Sequence, residues 1–142
     1  MRPRRRLVPA FALALVVLST ETVEVPEGEV AQKRAVRTPP GPPTLNHAFS
    51  RMNSVQLLWS AASDGGAAIS AYRIYRGTQP GGEDLLNPIA TVGNILSYTD
   101  STATFGFTYY YKVSAVNVVG EGALSGEKSA RPAALRSSEG QR

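Results

Sequence analysis

The chain has 142 residues, no cysteine and one tryptophan, and 42% of its residues are hydrophobic. This length favours a single domain, and the composition excludes a fully disordered chain. The formal net charge of +4 comes from Arg2, Arg4, Arg5 and Arg6, because the other 11 of the 15 Lys and Arg equal the 11 acidic residues in number. The rest of the chain therefore has no broad basic surface that could follow phosphates, and we expect no nucleic-acid partner.

Residues 1–19 are predicted to be a signal peptide. The four arginines precede an uncharged stretch, 7–20, in which 11–18 is apolar throughout. A charged start followed by a short apolar run and small residues is typical of secretory signals. A membrane-spanning helix needs about 20 apolar residues, so this run is short for a permanent anchor. We predict cleavage before Thr20, no membrane insertion afterwards, and a secreted or cell-surface location.

The flanking segments set the bounds of the predicted domain. Residues 20–38 have no sustained helical or strand periodicity, which predicts a disordered linker. The following prolines and glycine, 39–43, favour a stiff polyproline lead-in to the first strand. Residues 133–142 are small and polar, which predicts a disordered tail. The sequence therefore places one domain at 39–132.

Residues 42–132 consist of short runs in which apolar and polar side chains alternate. Turn residues interrupt these runs every eight to twelve positions, which is typical of an all-β sandwich. Tyr75 and Tyr110 have outward parity, where tyrosines either cover a half-exposed sheet or contact a partner. The predicted inward set is Val55, Leu57, Trp59, Ile69, Tyr72, Ile74, Ile89, Val92, Tyr98, Tyr109, Tyr111 and Val113.

Several motifs in register resemble a fibronectin type III domain of the kind common in secreted bacterial and archaeal proteins. They are Trp59, the turn at 64–66, the strands 69–76 and 109–117, Tyr98-Thr99-Asp100, and Gly120-Glu121-Gly122. The resemblance implies a seven-stranded antiparallel immunoglobulin-like sandwich without a disulfide. It also implies structural roles for Trp59, Tyr72, Tyr109 and Tyr111, with Tyr109 as the tyrosine corner whose hydroxyl bonds to upstream backbone.

The sequence departs from the family pattern at two positions that bear on packing. Ala103 stands where a leucine is usual, so it fills less of the core. Lys128 stands where the last strand usually offers an apolar residue, so we expect that strand to pack loosely. A lysine on an edge strand also discourages edge-to-edge association.

The chain has few residues that could perform chemistry. His47 is its one histidine, and with no cysteine a zinc site lacks ligands. No glycine-flanked serine presents a nucleophile, and Asp64 and Asp100 are expected to make local turn bonds. We therefore expect no catalytic residue, no metal and no cofactor.

The sequence leaves two functions open. The preferred hypothesis is a non-enzymatic, monomeric exported module that acts as a spacer or presents loops to an extracellular protein or glycan. The alternative is an accessory domain separated from an extracellular carbohydrate-active enzyme. The loops proposed for contact are 63–68, 79–84 and 118–122, with the candidate residues Asp64, Gly65, Gly66, Glu83, Asp84, Asn117, Gly120 and Glu121.

Overall fold

A computed structural model describes residues 35–134. The predicted signal peptide (1–19), most of the predicted linker and most of the predicted tail lie outside the described residues. Within 35–134, no helix is long and apolar enough to cross a membrane.

The described residues form seven strands in two antiparallel sheets. The strands are β1 (Thr44–Arg51), β2 (Ser54–Ser60), β3 (Ala71–Gly77), β4 (Ala90–Val92), β5 (Ser97–Asp100), β6 (Tyr109–Val116) and β7 (Lys128–Ala130). Within this range, one sheet has the order β1-β2-β5 and the other the order β4-β3-β6-β7. The predicted fold class, an all-β immunoglobulin-like sandwich of seven strands, is confirmed.

Alternate residues of the central strands form the core between the two sheets. On β2, Val55, Leu57 and Trp59 are buried, while the residues between them are partly exposed. The same alternation on β3 and β6 buries Tyr72 and Tyr111 completely. Of the predicted inward set, Ile69, Ile89, Val92 and Tyr98 are partly buried and pack against this core.

Tyr75 is more buried than predicted, although its side chain points to the predicted face of the sheet. It lies on the outer face of the four-stranded sheet, opposite the core side of β3, yet only 2% of its surface is exposed. Its hydroxyl donates to Oε1 of Glu121, which follows β6 in the chain. The segment after β6 therefore covers this part of the outer face, and Tyr75 cannot serve as a free stacking surface.

Tyr109 is linked to the backbone upstream of β6. The amide of Thr104 donates to the Tyr109 hydroxyl over 3.3 Å, and the guanidinium of Arg76 lies 4.8 Å from the centre of the Tyr109 ring. Ala103, adjacent to this bond, is completely buried despite its small side chain.

Lys128 is exposed at the start of the three-residue strand β7. A short edge strand carrying a charge is poorly suited to pairing with another sheet.

The hydrogen-bonded body extends slightly beyond the predicted domain. The amide of Thr38 donates to the carbonyl of Gly65 over 2.8 Å, and the amide of Ala133 donates to the carbonyl of Arg51 over 2.9 Å. These bonds join Thr38 of the predicted linker and Ala133 of the predicted tail to the domain. Both contacts join residues far apart in the chain, which local composition does not reveal.

Trp59→Ala is expected to destabilise the fold by about 3–5 kcal/mol, because deleting a large buried side chain leaves a cavity that the sandwich cannot fully close. The Trp59 ring packs 5.5 Å from that of Tyr72, centre to centre, so contacts to both sheets are lost. Denaturant titration measures the change. Leu86→Ala, at a position 90% exposed, is the control and should shift stability by less than about 0.5 kcal/mol. Equal stabilities for the two variants would contradict a central role for Trp59.

Candidate functional site

At one end of the sandwich, the segment before β1 is tied to the loop between β2 and β3. We call residues 38–41 the strap. The strap donates from the amide of Thr38 to the carbonyl of Gly65 (2.8 Å) and from the amide of Gly41 to the carbonyl of Ser63 (2.9 Å). The predicted polyproline lead-in is therefore held against the domain by two backbone hydrogen bonds.

Asn117 connects the strap to both neighbouring loops. Its Nδ2 donates to the carbonyls of Thr38 (2.7 Å) and Asp64 (2.8 Å). Its Oδ1 accepts from the amides of Val119 (2.8 Å) and Gly120 (3.2 Å). A buried amide whose oxygen and nitrogen are both paired is a structural group. Asn117 therefore holds three segments together and is not free to contact a partner.

Two glycines allow the strap to approach closely. Gly65 has a φ of 68°, and a Cβ there would overlap the carbonyl oxygen of Thr38. A Cβ on Gly122 would overlap the carbonyl oxygen of Pro40. Asp64 stabilises the turn of its own loop, because its Oδ1 accepts a hydrogen bond from the amide of Gly66 over 2.8 Å. Much of the hydrogen-bonding capacity of these predicted contact loops is thus used within the domain.

At the opposite end, the chain leaves the domain beside the turn between β1 and β2. The Ala133 carbonyl accepts from the amide of Asn53 over 3.2 Å, in addition to the bond from Ala133 to Arg51. The strap lies near the start of β1, whereas Ala133 lies near its end. The eight residues of β1 therefore separate the two tied segments.

In the predicted contact loop 79–84, between β3 and β4, one candidate residue is buried and the other is exposed. Glu83 is buried and its Oε2 lies 3.1 Å from Nζ of Lys112. Its carboxylate is therefore an internal ion-pair partner, which corrects its assignment as a contact residue. Asp84 is exposed and accepts from the amides of Leu86 (3.0 Å) and Asn87 (3.3 Å), which shapes its own loop.

Glu121 organises the outer face of the four-stranded sheet. Its Oε2 accepts from Arg73 over 2.6 Å, and its Oε1 accepts from the hydroxyls of Tyr75 and Ser114. Burial alone would raise the pKa of Glu121, but the three hydrogen bonds and the charge of Arg73 outweigh it and lower that pKa. The carboxylate is thus held ionised, and it joins β3 to β6 across the sheet surface.

A shallow cavity of about 280 Å³ lies beside Glu121 on this outer face. We call it the outer groove. The groove is lined by Tyr75, Leu85, Glu121, Gly122 and Leu124. Leu85 comes from the loop between β3 and β4, and Leu124 from the segment between β6 and β7. Glu121 is one of the predicted contact residues, whereas no motif in the sequence marks either leucine.

Among the described residues, Asp100 is the buried acid with the most hydrogen-bond partners. It is fully buried at the end of β5, where Oδ2 accepts from Arg76 (2.8 Å) and Tyr111 (2.9 Å) and Oδ1 accepts from the Thr102 hydroxyl (2.7 Å). The sequence pattern predicts only a local turn bond for Asp100. Arg76 and Tyr111 belong to the other sheet, so Asp100 joins the two layers of the sandwich.

The pH dependence of stability should depend strongly on Asp100. Burial alone would raise the pKa of Asp100, but its hydrogen bonds to Thr102, Arg76 and Tyr111 lower that pKa below its ordinary value. A lowered folded-state pKa stabilises the protein above the unfolded value of about 3.9, and this stabilisation is lost as the pH falls through the folded value. We expect acid to weaken the fold mainly below about pH 4.

Asp100→Asn is expected to cost about 3 kcal/mol at pH 7, because it leaves the Arg76 guanidinium without its counter-charge. The variant should also lose less stability than the unmodified chain between pH 5 and pH 2. Denaturant titrations at each pH measure both effects. Asp64→Asn removes one exposed carboxylate and keeps an acceptor for Gly66, and it is the matched control. Parallel pH profiles for Asp100→Asn and the unmodified chain would refute this role of Asp100.

Residues 35–134 contain no group of three or more His, Cys, Asp and Glu side chains that could hold a metal ion. His47 lies exposed on β1, where its ring stacks on that of Phe49 at 5.0 Å between centres.

Two curated relatives match part of the chain, and no family model matches it. An amylopullulanase of Thermoanaerobacter thermohydrosulfuricus is 42% identical over 97 residues, which are 68% of this chain and 6% of the relative. An amylopullulanase of Thermoanaerobacterium thermosulfurigenes is 39% identical over 80 residues, which are 56% of this chain and 4% of the relative. The chain therefore spans less than a tenth of the length of these relatives.

Solved structures show similarity over most of the domain. A Fn3-like protein from Clostridium thermocellum is 31% identical with a TM-score of 0.53, and the match covers 70% of this chain and all of that one. A β-1,2-glucanase from Parabacteroides distasonis is 25% identical with a TM-score of 0.59, over 70% of this chain and 14% of that one. The chain belongs to the fibronectin type III family, in agreement with the motifs around Trp59 and Tyr109.

Proposed function

We propose that the chain is a non-catalytic accessory domain of an extracellular glucan-degrading system, in which it works as an in-line spacer. One observation carries this proposal: the strap and Ala133 are tied by hydrogen bonds at opposite ends of the sandwich. Segments that leave at opposite ends are held apart by the length of a rigid body. A spacer needs attachment points that stay a fixed distance apart, whereas a hinge needs attachment points that move relative to each other.

The contacts of the polar side chains support a structural role. Asn117 and Asp100 each use both side-chain polar atoms in bonds within the domain. A catalytic carboxylate or amide needs capacity left for a substrate. These two groups instead fix the strap and the two sheets.

The comparisons support the accessory role. The matched stretch is 6% of one amylopullulanase and 14% of the β-1,2-glucanase, so similar domains occur within much larger proteins whose names denote enzymes of glucans. A small sandwich that fills so little of an enzyme supports a positioning role beside other parts. We extend this role to the present chain.

Distance measurements between spin labels test the spacer proposal. The chain has no cysteine, so Arg37→Cys with Ala134→Cys provides two unique attachment sites, one at each end. Eight extended residues at about 3.4 Å each separate the ends by about 25 Å or more. We expect a narrow distance distribution around or above this value in double electron–electron resonance.

A matched pair of glycine substitutions shows whether the strap produces the rigidity. Gly122→Ala places a methyl group against the Pro40 carbonyl and should broaden the distribution by releasing the strap. Gly126→Ala has no atom within 4 Å of the new Cβ and should leave the distribution narrow. A broad distribution in the parent double-cysteine protein contradicts the spacer. Hydrolysis of pullulan or β-1,2-glucan by the purified chain contradicts the non-catalytic role.

We also propose that residues 1–19 direct export, since an arginine-rich start precedes a short apolar run. Mass spectrometry of the culture medium should find a mature N-terminus at Thr20. Leu15→Arg, which interrupts the apolar run, should retain the protein in the cell, whereas Arg142→Ala at the other end is the control and should not. Intact Met1 in the cytoplasm of cells that produce the unmodified chain would overturn the proposal.

A further inference from the structure

We infer that the outer groove binds a neutral sugar segment of a glucan. This inference deepens the proposed accessory role and rests on it, because it assigns to the domain the polymer on which the larger system acts. The groove lies on the outer face of the four-stranded sheet, and one of its lining residues, Gly122, also lies against Pro40 of the strap.

The polar side of the groove is complementary to a hydroxyl group. Oε2 of Glu121 accepts one hydrogen bond, from Arg73, and retains a second lone pair. Arg73 uses NH1 in that bond and keeps further N–H donors, and its side chain is 41% exposed. A sugar hydroxyl in the groove can therefore donate to Oε2 of Glu121, which lines the groove, while Arg73 holds this carboxylate in place from beside the groove.

The charges at the groove favour an uncharged ligand. Glu121 and Arg73 form an ion pair, so their charges largely cancel at short range. An anionic ligand would be repelled by Glu121, whose carboxylate lines the groove, and a cationic ligand would gain little because Arg73 already balances the charge of that carboxylate. A neutral polyol has no such conflict, and it can replace the water that solvates the exposed side of the pair.

The apolar walls fit the C–H face of a pyranose ring. Leu85 is 49% exposed, and together with Leu124 it forms the aliphatic sides of the groove. Tyr75 contributes little stacking surface, because it is 2% exposed. At about 280 Å³ the groove lies just below the usual range of ligand-pocket sizes, about 300–1,000 Å³, which suits a single sugar ring. Few contacts in a shallow site predict weak affinity, on the order of 1 mM.

Titration of the full chain by ¹H–¹⁵N NMR tests the site. Two neutral probes separate the possible glucan sources: maltotriose for α-linked glucans and sophorose for β-1,2-linked glucans. We expect at least one probe to shift the amide signals of Tyr75, Leu85 and Gly122 in a saturating manner. Absence of shifts with both probes up to 20 mM, or shifts confined to other surfaces, would overturn the inference.

Neighbouring leucines provide a matched pair of variants. Leu85 lines the groove, whereas Leu86 lies next to it in the chain, is 90% exposed and does not line the groove. Leu85→Ser should weaken sugar binding about fivefold through loss of one apolar wall. Leu86→Ser should leave the affinity unchanged, and both variants should keep the dispersed spectrum of the folded sandwich. Equal affinities for the two variants would refute the assigned wall.

A peptide probe distinguishes a sugar site from a protein-docking site. Leu-Gly-Leu amide presents aliphatic side chains and backbone donors without a polyol. If the peptide shifts the groove signals and neither sugar does, the groove takes peptide and the inference is wrong. Spin-label distances in the double-cysteine protein are independent of these titrations. If neither sugar binds but the distance distribution is narrow, only the sugar site is refuted. A broad distance distribution refutes the spacer.

Discussion

The structure depends on the burial of alternate side chains of β2, β3 and β6 between two sheets. No cysteine is present, so this packing must hold the domain without covalent links. Val55, Leu57 and Trp59 face Tyr72 and Ile74 across the layer, in one continuous core. Every other feature is placed relative to that core: the strap at one end, Ala133 at the other, and the outer groove on the back of β3 and β6.

Buried polar groups add the contacts that local packing does not specify. Asp100 joins the sheets through Arg76 and Tyr111, Asn117 joins the strap to two loops, and Glu121 joins β3 to β6. A buried polar group costs free energy unless it is paired, so each of these residues favours one arrangement of its neighbours over others. The loops at the strap end are therefore shaped largely by the domain itself. Their conformation is set before any partner arrives, which suits a spacer better than an adaptable binding surface.

The strands were predictable because period-2 alternation is a local signal, and the motifs around Trp59 and Tyr109 identified their arrangement. The contacts that define the candidate sites are of another kind. Asn117 bonds to Thr38 across 79 positions, Tyr75 to Glu121 across 46, and Arg76 to Asp100 across 24. No pattern within a window of ten residues contains both partners of such a bond. For this reason the sequence predicts an exposed Tyr75, a contact role for Glu83 and only a turn role for Asp100. Arg76 is a partial exception, because it has the same parity as Tyr72 and Ile74 and its side chain therefore points toward the core.

The strap and the outer groove meet at a single residue, and this contact limits how the two proposed roles can be separated. Gly122 lies against the carbonyl of Pro40 and also lines the groove. A side chain at this position would therefore disturb the spacer and the sugar site together. Leu85 enters the groove from the loop between β3 and β4, which is a different segment from the one that contacts the strap. The proposed sugar site can thus be altered through that loop without touching the strap or the Asn117 bonds.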